Sequence, residues 1–221
     1  METVRFSTKD GIEIVGDYYA ATISSGIILL HMMPADRSSW RALAGKVQQE
    51  GISVLAIDLR GHGQSSGGPM GYRAFSDSDH EKSIFDIEAS VEFLHAKGVT
   101  TFHIGGASIG ANLSLQYAAQ HQKIASVFLL SPGLDYHGIH ADIWMDNMKP
   151  DQRVLLAASD DDVYSLTTVK ALVDRSKNLP KRDLRILGNA GHGTAMFEKN
   201  PQFIDELAVW IKKADQGVSQ K

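Results

Sequence analysis

The fold of this 221-residue chain is decided by one stretch, TFHIGGASIGA, which spans residues 101–111. A β-rich run, Thr101–Gly105, leads into the pattern G-x-S-x-G at residues 106–110, and a helical pattern follows. A serine at this position occupies a sharp strand-to-helix turn, and the residues two before and two after it must be very small. Gly106 and Gly110 meet that need. The stretch therefore predicts that Ser108 is a nucleophile at a helix N-terminus, where backbone N–H groups favour developing negative charge.

On both sides of this stretch, short β-rich runs alternate with helical patterns. The predicted strands are Thr3–Thr8, Ile12–Tyr19, Gly26–Met32, Ile52–Ile57, Thr101–Gly105, Ile124–Leu130, Val154–Ala158 and Asp183–Leu187. The predicted helices are Ser38–Glu50, Asp79–Ala96, Ser108–His121, Leu166–Lys177 and Gln202–Lys213. Alternation of apolar strands with helices predicts an α/β fold, with a mostly parallel central sheet covered by helices on both faces. The first two strands form an antiparallel hairpin at its edge, and ligands are expected at the carboxyl ends of the parallel strands.

Length and composition favour one globular domain over residues 1–214, followed by a polar tail, residues 215–221. Hydrophobic residues make up 43% of the chain and charged residues 22%, which excludes a disordered or fibrous protein. There are no cysteines, so disulfides, thiolate metal sites and a cysteine nucleophile are excluded.

Charge and hydropathy speak against nucleic-acid and membrane partners. The net charge is −4, and the 22 basic residues are scattered rather than clustered into a nucleic-acid footprint. The apolar runs are too short to span a bilayer, and the first residues lack the apolar segment of a signal peptide. We therefore expect a cytoplasmic protein. The sequence carries no signal for an oligomeric state.

A serine nucleophile needs a base, and His192 is the predicted one. It lies in GNAGHGTAM, residues 188–196, between the last predicted strand and the last helix. The glycines on either side of it, Gly191 and Gly193, give the backbone freedom to aim the imidazole across the end of the sheet.

The base in turn needs an orienting carboxylate. The strand Val154–Ala158 runs into SDDD, residues 159–162, which offers three adjacent acids. The chain order serine, aspartate, histidine is the order expected of this arrangement. Each of Asp160, Asp161 and Asp162 has an alternative interpretation as a cap of the following helix, so the pattern alone leaves the choice open.

These loops resemble those of serine esterases of the α/β-hydrolase superfamily, and in particular its small dienelactone-hydrolase-like members. The resemblance extends from Gly11 to about Ala214. It includes DLRGHGQS at residues 58–65, which is similar to the family's D-x-R-G-H-G-x-S segment. The family implies a structural role for that segment, with His62 as a packed loop histidine.

The resemblance also implies roles for the acid and for the oxyanion hole. The family places its catalytic acid three residues beyond the small residue that ends the strand, which implies Asp162. Asp161 is the alternative in the same loop, and Asp135, after the preceding strand, is the other.

The oxyanion donors implied by the resemblance are the backbone N–H groups of Ile109 and Met33. Many relatives carry His-Gly-x where this chain has His31-Met32-Met33, so Met32 stays open as the alternative donor. We hypothesise that an ion pair between the neighbouring residues Asp36 and Arg37 stabilises this loop.

By the same resemblance, the expected activity is hydrolysis of carboxylic esters, a small-molecule substrate class, with no cofactor and no metal. Only residues 131–152 separate two strands where relatives with large lids insert a subdomain. We therefore expect no large lid and a preference for small or short-acyl esters, although residues 67–78 could overhang the site. Thioesterase, acyltransferase and perhydrolase activities use the same triad and remain alternatives, as does a non-catalytic ligand-binding scaffold. The spacing of His137 and His140 lacks a third ligand, which speaks against a metal site.

Overall fold

The computed structural model describes residues 1–217 of the chain. Its strands are β1 (Glu2–Ser7), β2 (Glu13–Tyr19), β3 (Ser25–Leu30), β4 (Ser53–Asp58), β5 (Thr101–Ala107), β6 (Ile124–Leu130), β7 (Asp135–Tyr136), β8 (Ile139–His140), β9 (Arg153–Ser159) and β10 (Arg182–Leu187). Its α-helices are α1 (Arg41–Gln49), α2 (Asp77–Glu81), α3 (Ile84–Ala96), α4 (Ile109–Gln120), α5 (Ala141–Asn147), α6 (Val163–Arg175), α7 (Ala195–Lys199) and α8 (Gln202–Gln216).

Eight strands form one central sheet in the order β1-β2-β4-β3-β5-β6-β9-β10. The pairs β1–β2 and β2–β4 are antiparallel, and the remaining pairs are parallel. The predicted α/β fold class, with an antiparallel N-terminal edge, is therefore confirmed. Because β3, β5, β6, β9 and β10 run in the same direction, the loops that follow them meet at one edge of the sheet.

The two faces of the sheet are buried against separate helical layers. Along β3, Ile27 and Leu29 pack into one core with Trp40 and side chains of α1 and α8, while Ile28 and Leu30 pack into the other with side chains of α3 and α4. This alternation follows from the two-residue period of a strand. All four β3 side chains are fully buried, and each such burial contributes about 1.5–3 kcal/mol.

One predicted helix is divided in two. The pattern over Asp79–Ala96 forms α2 and α3, with a tightened turn between them. There, the N–H groups of Ser83, Phe85 and Asp86 each donate to the carbonyl three residues earlier. A 3₁₀ turn of this kind interrupts the α-helical hydrogen bonding and redirects the chain.

The polar tail does not begin at residue 215 as predicted, because α8 extends to Gln216. Asp215 belongs to this helix and is only 8% exposed. Its carboxylate accepts a hydrogen bond from Ser25 Oγ and lies 3.4 Å from His103 Nε2. These buried partners explain why the helix continues to Gln216. Residues 218–221 of the predicted tail lie outside the described residues.

No large lid follows β6. The segment between β6 and β9 consists of the two-stranded β7–β8 hairpin and α5. In the part of the chain that the structure describes, the helices are all too short or too polar to cross a membrane.

Candidate active site

Ser108 occupies a strained turn between β5 and α4. Its backbone angles are φ 55° and ψ −122°, and its N–H donates to the carbonyl of Leu130 at 2.9 Å. A Cβ placed at Gly106 would lie 2.1 Å from Gly110 O, and one placed at Gly110 would lie 2.4 Å from Leu30 O. Neither position can accept a side chain, which is the steric demand that the sequence pattern predicted. A non-glycine residue at positive φ costs about 1–3 kcal/mol, so the surrounding packing must hold this conformation.

His192 and Asp162 are hydrogen-bonded at the same edge of the sheet. Nδ1 of His192 donates to Asp162 Oδ2 at 2.7 Å. The aspartate side chain is 14% exposed and the imidazole 38% exposed, so the carboxylate is shielded while the ring is open to solvent. Burial raises the pKa of Asp162, but hydrogen bonds from His192 and Ser165 outweigh it and hold this pKa below its usual range. The carboxylate is therefore ionised at neutral pH.

The second oxygen of Asp162 has a different partner. Oδ1 accepts from the backbone N–H of Ser165 at 3.4 Å, which makes Asp162 the N-cap of α6. Capping the helix and contacting the predicted base were alternatives in the sequence, and Asp162 does both.

The two preceding acids hold the backbone of the loop that carries His192. Asp160 Oδ1 accepts from the N–H of Asn189 at 2.6 Å, and Asp161 Oδ1 accepts from the N–H of Gly191 at 2.9 Å. Both carboxylates therefore contact the loop rather than the imidazole.

Asp135, the other alternative acid, lies in the β7–β8 hairpin. Its carboxylate accepts from the N–H of Gly138 at 2.9 Å and is half exposed. The structure does not bring it to His192.

The loop of His192 lies against the strand that ends at the nucleophile. The N–H of Gly193 donates to Ser131 Oγ at 2.9 Å, and a Cβ at Gly193 would lie 3.3 Å from that of Ala107. Within the described residues, no hydrogen bond joins Ser108 Oγ to His192. Such contacts are often long in a protein without ligand and shorten when substrate binds.

The loop after β3 is held by His31. Its Nδ1–H donates to the carbonyl of Met32 at 2.9 Å, and its Nε2 accepts from the N–H of Leu59 at 3.0 Å. Burial lowers the pKa of His31 to about 4, so the ring is neutral at pH 7 and can serve as donor and acceptor at once. Across residues 1–217, the N–H groups of Met33 and Ile109 have no hydrogen-bond acceptor. Both groups are therefore unpaired within the described residues.

The prediction of an ion pair between Asp36 and Arg37 is wrong. Arg37 instead pairs with Asp17, at 3.0 Å, and with the fully buried Asp58. A buried carboxylate needs a cation and hydrogen bonds, and Asp58 draws the guanidinium away from its neighbour in sequence. Asp36 accepts from the N–H of Ser38 at 2.8 Å and caps the short helical turn that follows.

His62 is a packed loop histidine, as predicted. It is 3% exposed, and its ring lies 4.8 Å from that of His31 and 4.2 Å from that of Tyr72, measured between centroids. Burial lowers the pKa of His62 to about 4, and the nearby His31 lowers it further.

A third buried histidine, His80, makes the stability of the fold depend on pH. Burial, together with its neighbours His137 and His62, lowers the pKa of His80 to about 4. In an unfolded chain the pKa of histidine is about 6.5, so between pH 6.5 and 4 the unfolded state binds protons that the folded state does not. We expect the melting temperature to fall as the pH is lowered through this window.

Thermal unfolding of the wild type and of His80→Phe, followed by circular dichroism from pH 7 to 4.5, tests this expectation. The variant removes one titrating ring, so its melting temperature should fall less steeply. Equal slopes for the two proteins would contradict it. Carboxylates whose pKa is lowered, such as Asp162, lose their contribution only at still lower pH.

One residue that contacts the loop of His192 was not selected from the sequence. Ser131 follows β6, and its Oγ accepts a hydrogen bond from the N–H of Gly193 in that loop. It could have been found, because it follows a parallel strand at the same edge as Ser108.

The two histidines considered as a metal site have different acidic neighbours. His137 Nδ1 is 3.5 Å from Asp77, and His140 Nδ1 is 3.9 Å from Asp135. Residues 1–217 contain no group of three or more side chains placed to hold a metal ion.

Comparison with known proteins gives a family and a fold. The family described as alpha/beta hydrolase fold matches residues 27–155. The bifunctional esterase/perhydrolase DCH of Acinetobacter calcoaceticus is 30% identical over 127 residues, which cover 57% of this chain and 43% of that protein. Lipase 1 of Psychrobacter immobilis is 29% identical over 143 residues, or 63% of this chain and 41% of that one. The chain thus spans under half the length of these curated relatives.

Solved structures match nearly the whole chain. The esterase Pf2001 of Pyrococcus furiosus superposes with a TM-score of 0.79 at 16% identity, covering 96% of this chain and 92% of that one. A dienelactone hydrolase from Anabaena variabilis gives 0.71 at 20% identity, covering 96% and 94%. At these identities the likeness shows the fold.

Proposed function

The chain belongs to the alpha/beta hydrolase fold family, and on that premise we propose that it is a serine-dependent carboxylic ester hydrolase acting on small or short-acyl esters. The observation that carries the proposal is the 2.7 Å hydrogen bond from His192 Nδ1 to Asp162, made at the edge of the sheet where Ser108 occupies its strained turn. Nucleophile, base and orienting acid are the three groups that acyl transfer through a serine requires.

In the proposed acylation step, Ser108 Oγ attacks the ester carbonyl carbon while its proton passes to His192 Nε2. Asp162 keeps the other imidazole nitrogen protonated and stabilises the imidazolium that forms. The N–H groups of Ile109 and Met33 hold the tetrahedral oxyanion, with Met32 as the alternative to Met33. One donor of this kind is typically worth about 10²–10³-fold in kcat.

When the tetrahedral intermediate collapses, the bond to the alkoxy oxygen breaks and His192 gives its proton to the leaving alcohol. Water then attacks the acyl-enzyme with His192 again as base, which returns Ser108 to its free form. Side chains and backbone groups of this chain suffice for every step, so the proposal includes no cofactor and no metal.

The short segment between β6 and β9 supports the proposal of small substrates. Its β7–β8 hairpin meets α2, since a Cβ at Gly138 would lie 3.4 Å from the Cβ of Asp77. The rings of His80 and His137 stack across the same contact, with centroids 4.1 Å apart. Asp77, in the segment that could overhang the site, therefore lies against the hairpin, and both partners are short elements rather than a separate lid.

A panel of p-nitrophenyl esters, from acetate to palmitate, tests substrate size. We expect kcat/KM to be highest for acyl chains of roughly two to six carbons, because each methylene that finds or lacks a pocket changes binding by about 1–3 kcal/mol. We also expect no increase in rate when the substrate exceeds its solubility limit. A preference for emulsified long-chain esters would contradict the proposed substrate class.

The name of the Acinetobacter relative favours one second activity, perhydrolysis, in which hydrogen peroxide rather than water accepts the acyl group. The two activities share the acyl-enzyme and differ in the acceptor. Measuring peracid formation from an ester in the presence of hydrogen peroxide separates them, and a thioester in the same assay tests thioesterase activity.

A further inference from the structure

Backbone N–H groups on both sides of His192 donate to side chains outside their own loop. Before His192, the acceptors lie at the end of β9 and in the loop after it, in the pairs Asn189 with Asp160, Ala190 with Ser159 and Gly191 with Asp161. After His192, the N–H of Gly193 donates to Ser131 Oγ at 2.9 Å. Ser131 directly follows β6. The loop of His192 is therefore held from two strands, by β9 on one side of the histidine and by β6 on the other.

The same end of β6 also contacts the nucleophile turn and the neighbouring strand β9. The carbonyl of Leu130 accepts from the N–H of Ser108 at 2.9 Å. The N–H of Ser131 donates to the carbonyl of Ala157, in β9, at 2.8 Å. Leu130 and Ser131 are consecutive, so two residues connect the nucleophile turn, the strand that leads to the orienting acid and the loop of the base.

Ser131 has a backbone conformation that is unusual for a residue with a side chain. Its φ is 50°, in the left-handed region, and the residue is fully buried. This conformation costs free energy in residues other than glycine and persists where neighbouring contacts impose it. Glycine would remove the strain. It would also remove the hydroxyl and leave the buried N–H of Gly193 without its acceptor, which is unfavourable in itself.

The contact between Ser131 and Gly193 bears on the gap between nucleophile and base. Asp162 binds the imidazole of His192 at Nδ1, which orients the ring. Ser131 instead holds the backbone one residue after His192, relative to the strand whose last carbonyl holds Ser108. Proton transfer between two groups is very sensitive to their separation, and a misplacement of about 1 Å can cost about 10²-fold in rate.

We propose that Ser131 is a positioning residue, which through Gly193 holds the loop of His192 at the distance from Ser108 that proton transfer requires. The inference rests on the proposed function, since it requires Ser108 and His192 to be the nucleophile and the base. Because Ser131 is fully buried, it offers no surface to a substrate and acts only through His192. It therefore serves acylation and deacylation alike, as both steps use that base.

Ser131→Ala and Ser131→Gly test the proposal together. Both remove the hydroxyl, but only glycine adopts a φ of 50° without strain, so the two variants should differ in melting temperature. We expect both to lower kcat for p-nitrophenyl acetate by about 10- to 100-fold, the effect of a small misplacement of the reacting groups. KM should change little, because the lost contact acts only on the reacting groups. Labelling of Ser108 by a fluorophosphonate probe should slow together with kcat.

Ser126→Ala is the matched control. Ser126 is a buried serine near the other end of β6, and its Oγ is hydrogen-bonded to His103 Nδ1 at 2.8 Å. The substitution therefore also removes a buried hydrogen bond from this strand, but away from the edge that carries Ser108. It should lower the melting temperature while leaving kcat and the labelling rate within about twofold of the wild type.

Hydrogen exchange gives a local measure of the contact. The amide of Gly193, followed by NMR, should exchange faster in both Ser131 variants than in the wild type, because its acceptor is gone. In Ser126→Ala its exchange rate should not change.

A folded Ser131→Ala or Ser131→Gly protein with the kcat and labelling rate of the wild type would overturn the inference. So would an unchanged exchange rate of the Gly193 amide, or a change in KM alone. Losses of activity that follow the melting temperature across all three variants would overturn it as well, because they would report stability rather than position. If the wild type itself is not labelled at Ser108, the proposed function fails instead, so the two failures are distinguishable.

Discussion

Ser108→Ala is expected to abolish ester hydrolysis while leaving the fold unchanged. When a serine, histidine and aspartate act as a unit, removing the nucleophile costs on the order of 10⁶-fold in kcat. The fold should survive because the strain at φ 55° belongs to the backbone, and alanine bears it as serine does. The assay is turnover of p-nitrophenyl acetate, with circular dichroism and the melting temperature as measures of folding.

Ser114→Ala is the matched control for this substitution. Ser114 is a buried serine on α4, the helix that follows Ser108, and its hydroxyl donates to the carbonyl of Gly110 at 2.7 Å. It should retain near-wild-type kcat. A folded Ser108→Ala protein that kept more than about one per cent of the activity would show that Ser108 is not the nucleophile.

The sequence was most informative where the constraint is local. The two glycines around Ser108 are dictated by contacts within one turn and against the adjacent strand, and the spacing alone shows that need. The strands were found because residues buried on both faces give continuous apolar runs. The parallel direction of β3, β5, β6, β9 and β10 then determines which loops meet, whatever residues they contain.

Features that depend on contacts between distant residues could not be predicted. Asp215 looks like part of a polar tail until Ser25 and His103 are seen beside it. Arg37 was expected to pair with its neighbour Asp36. It pairs instead with the buried Asp58, 21 residues away, because a buried carboxylate needs a cation. The β7–β8 hairpin is held by Asn112, whose side chain donates to the carbonyls of Gly133 and Ile139, and nothing in the sequence around Asn112 marks that contact.

The three adjacent acids show the same limit at the scale of one loop. They are identical in type, and what distinguishes them is the partner that each oxygen meets. Asp160 and Asp161 each meet a backbone N–H of the loop at residues 189–191, while Asp162 meets the imidazole of His192. Only the resemblance to a family indicated the last of the three, and its role in catalysis remains a proposal that the following substitutions test.

Asp162→Asn is expected to reduce kcat by about 10⁴-fold, the loss that the wrong imidazole tautomer causes in serine proteases. The aspartate uses one oxygen to cap α6 and the other to accept from His192 Nδ1. An asparagine has a single carbonyl oxygen and cannot meet both demands. If that oxygen caps the helix, the amide N–H₂ faces Nδ1, the ring proton moves to Nε2, and Nε2 can no longer accept the proton of Ser108. If it faces His192 instead, the cap is lost at a cost of about 1 kcal/mol.

Asp161→Asn is the control, because its demands differ. Asp161 accepts from the N–H of Gly191 and from the hydroxyl of Ser159, and one amide oxygen can accept both of these bonds. Its charge acts on the site only from a distance, through water and salt, so we expect a loss of less than about tenfold. The comparison is made on kcat in variants with measured melting temperatures, which separates catalysis from the loss of a cap. A large loss for Asp161→Asn with a small one for Asp162→Asn would exchange the two roles. Small losses for both would leave the orienting carboxylate to another residue and remove the observation on which the proposed mechanism depends.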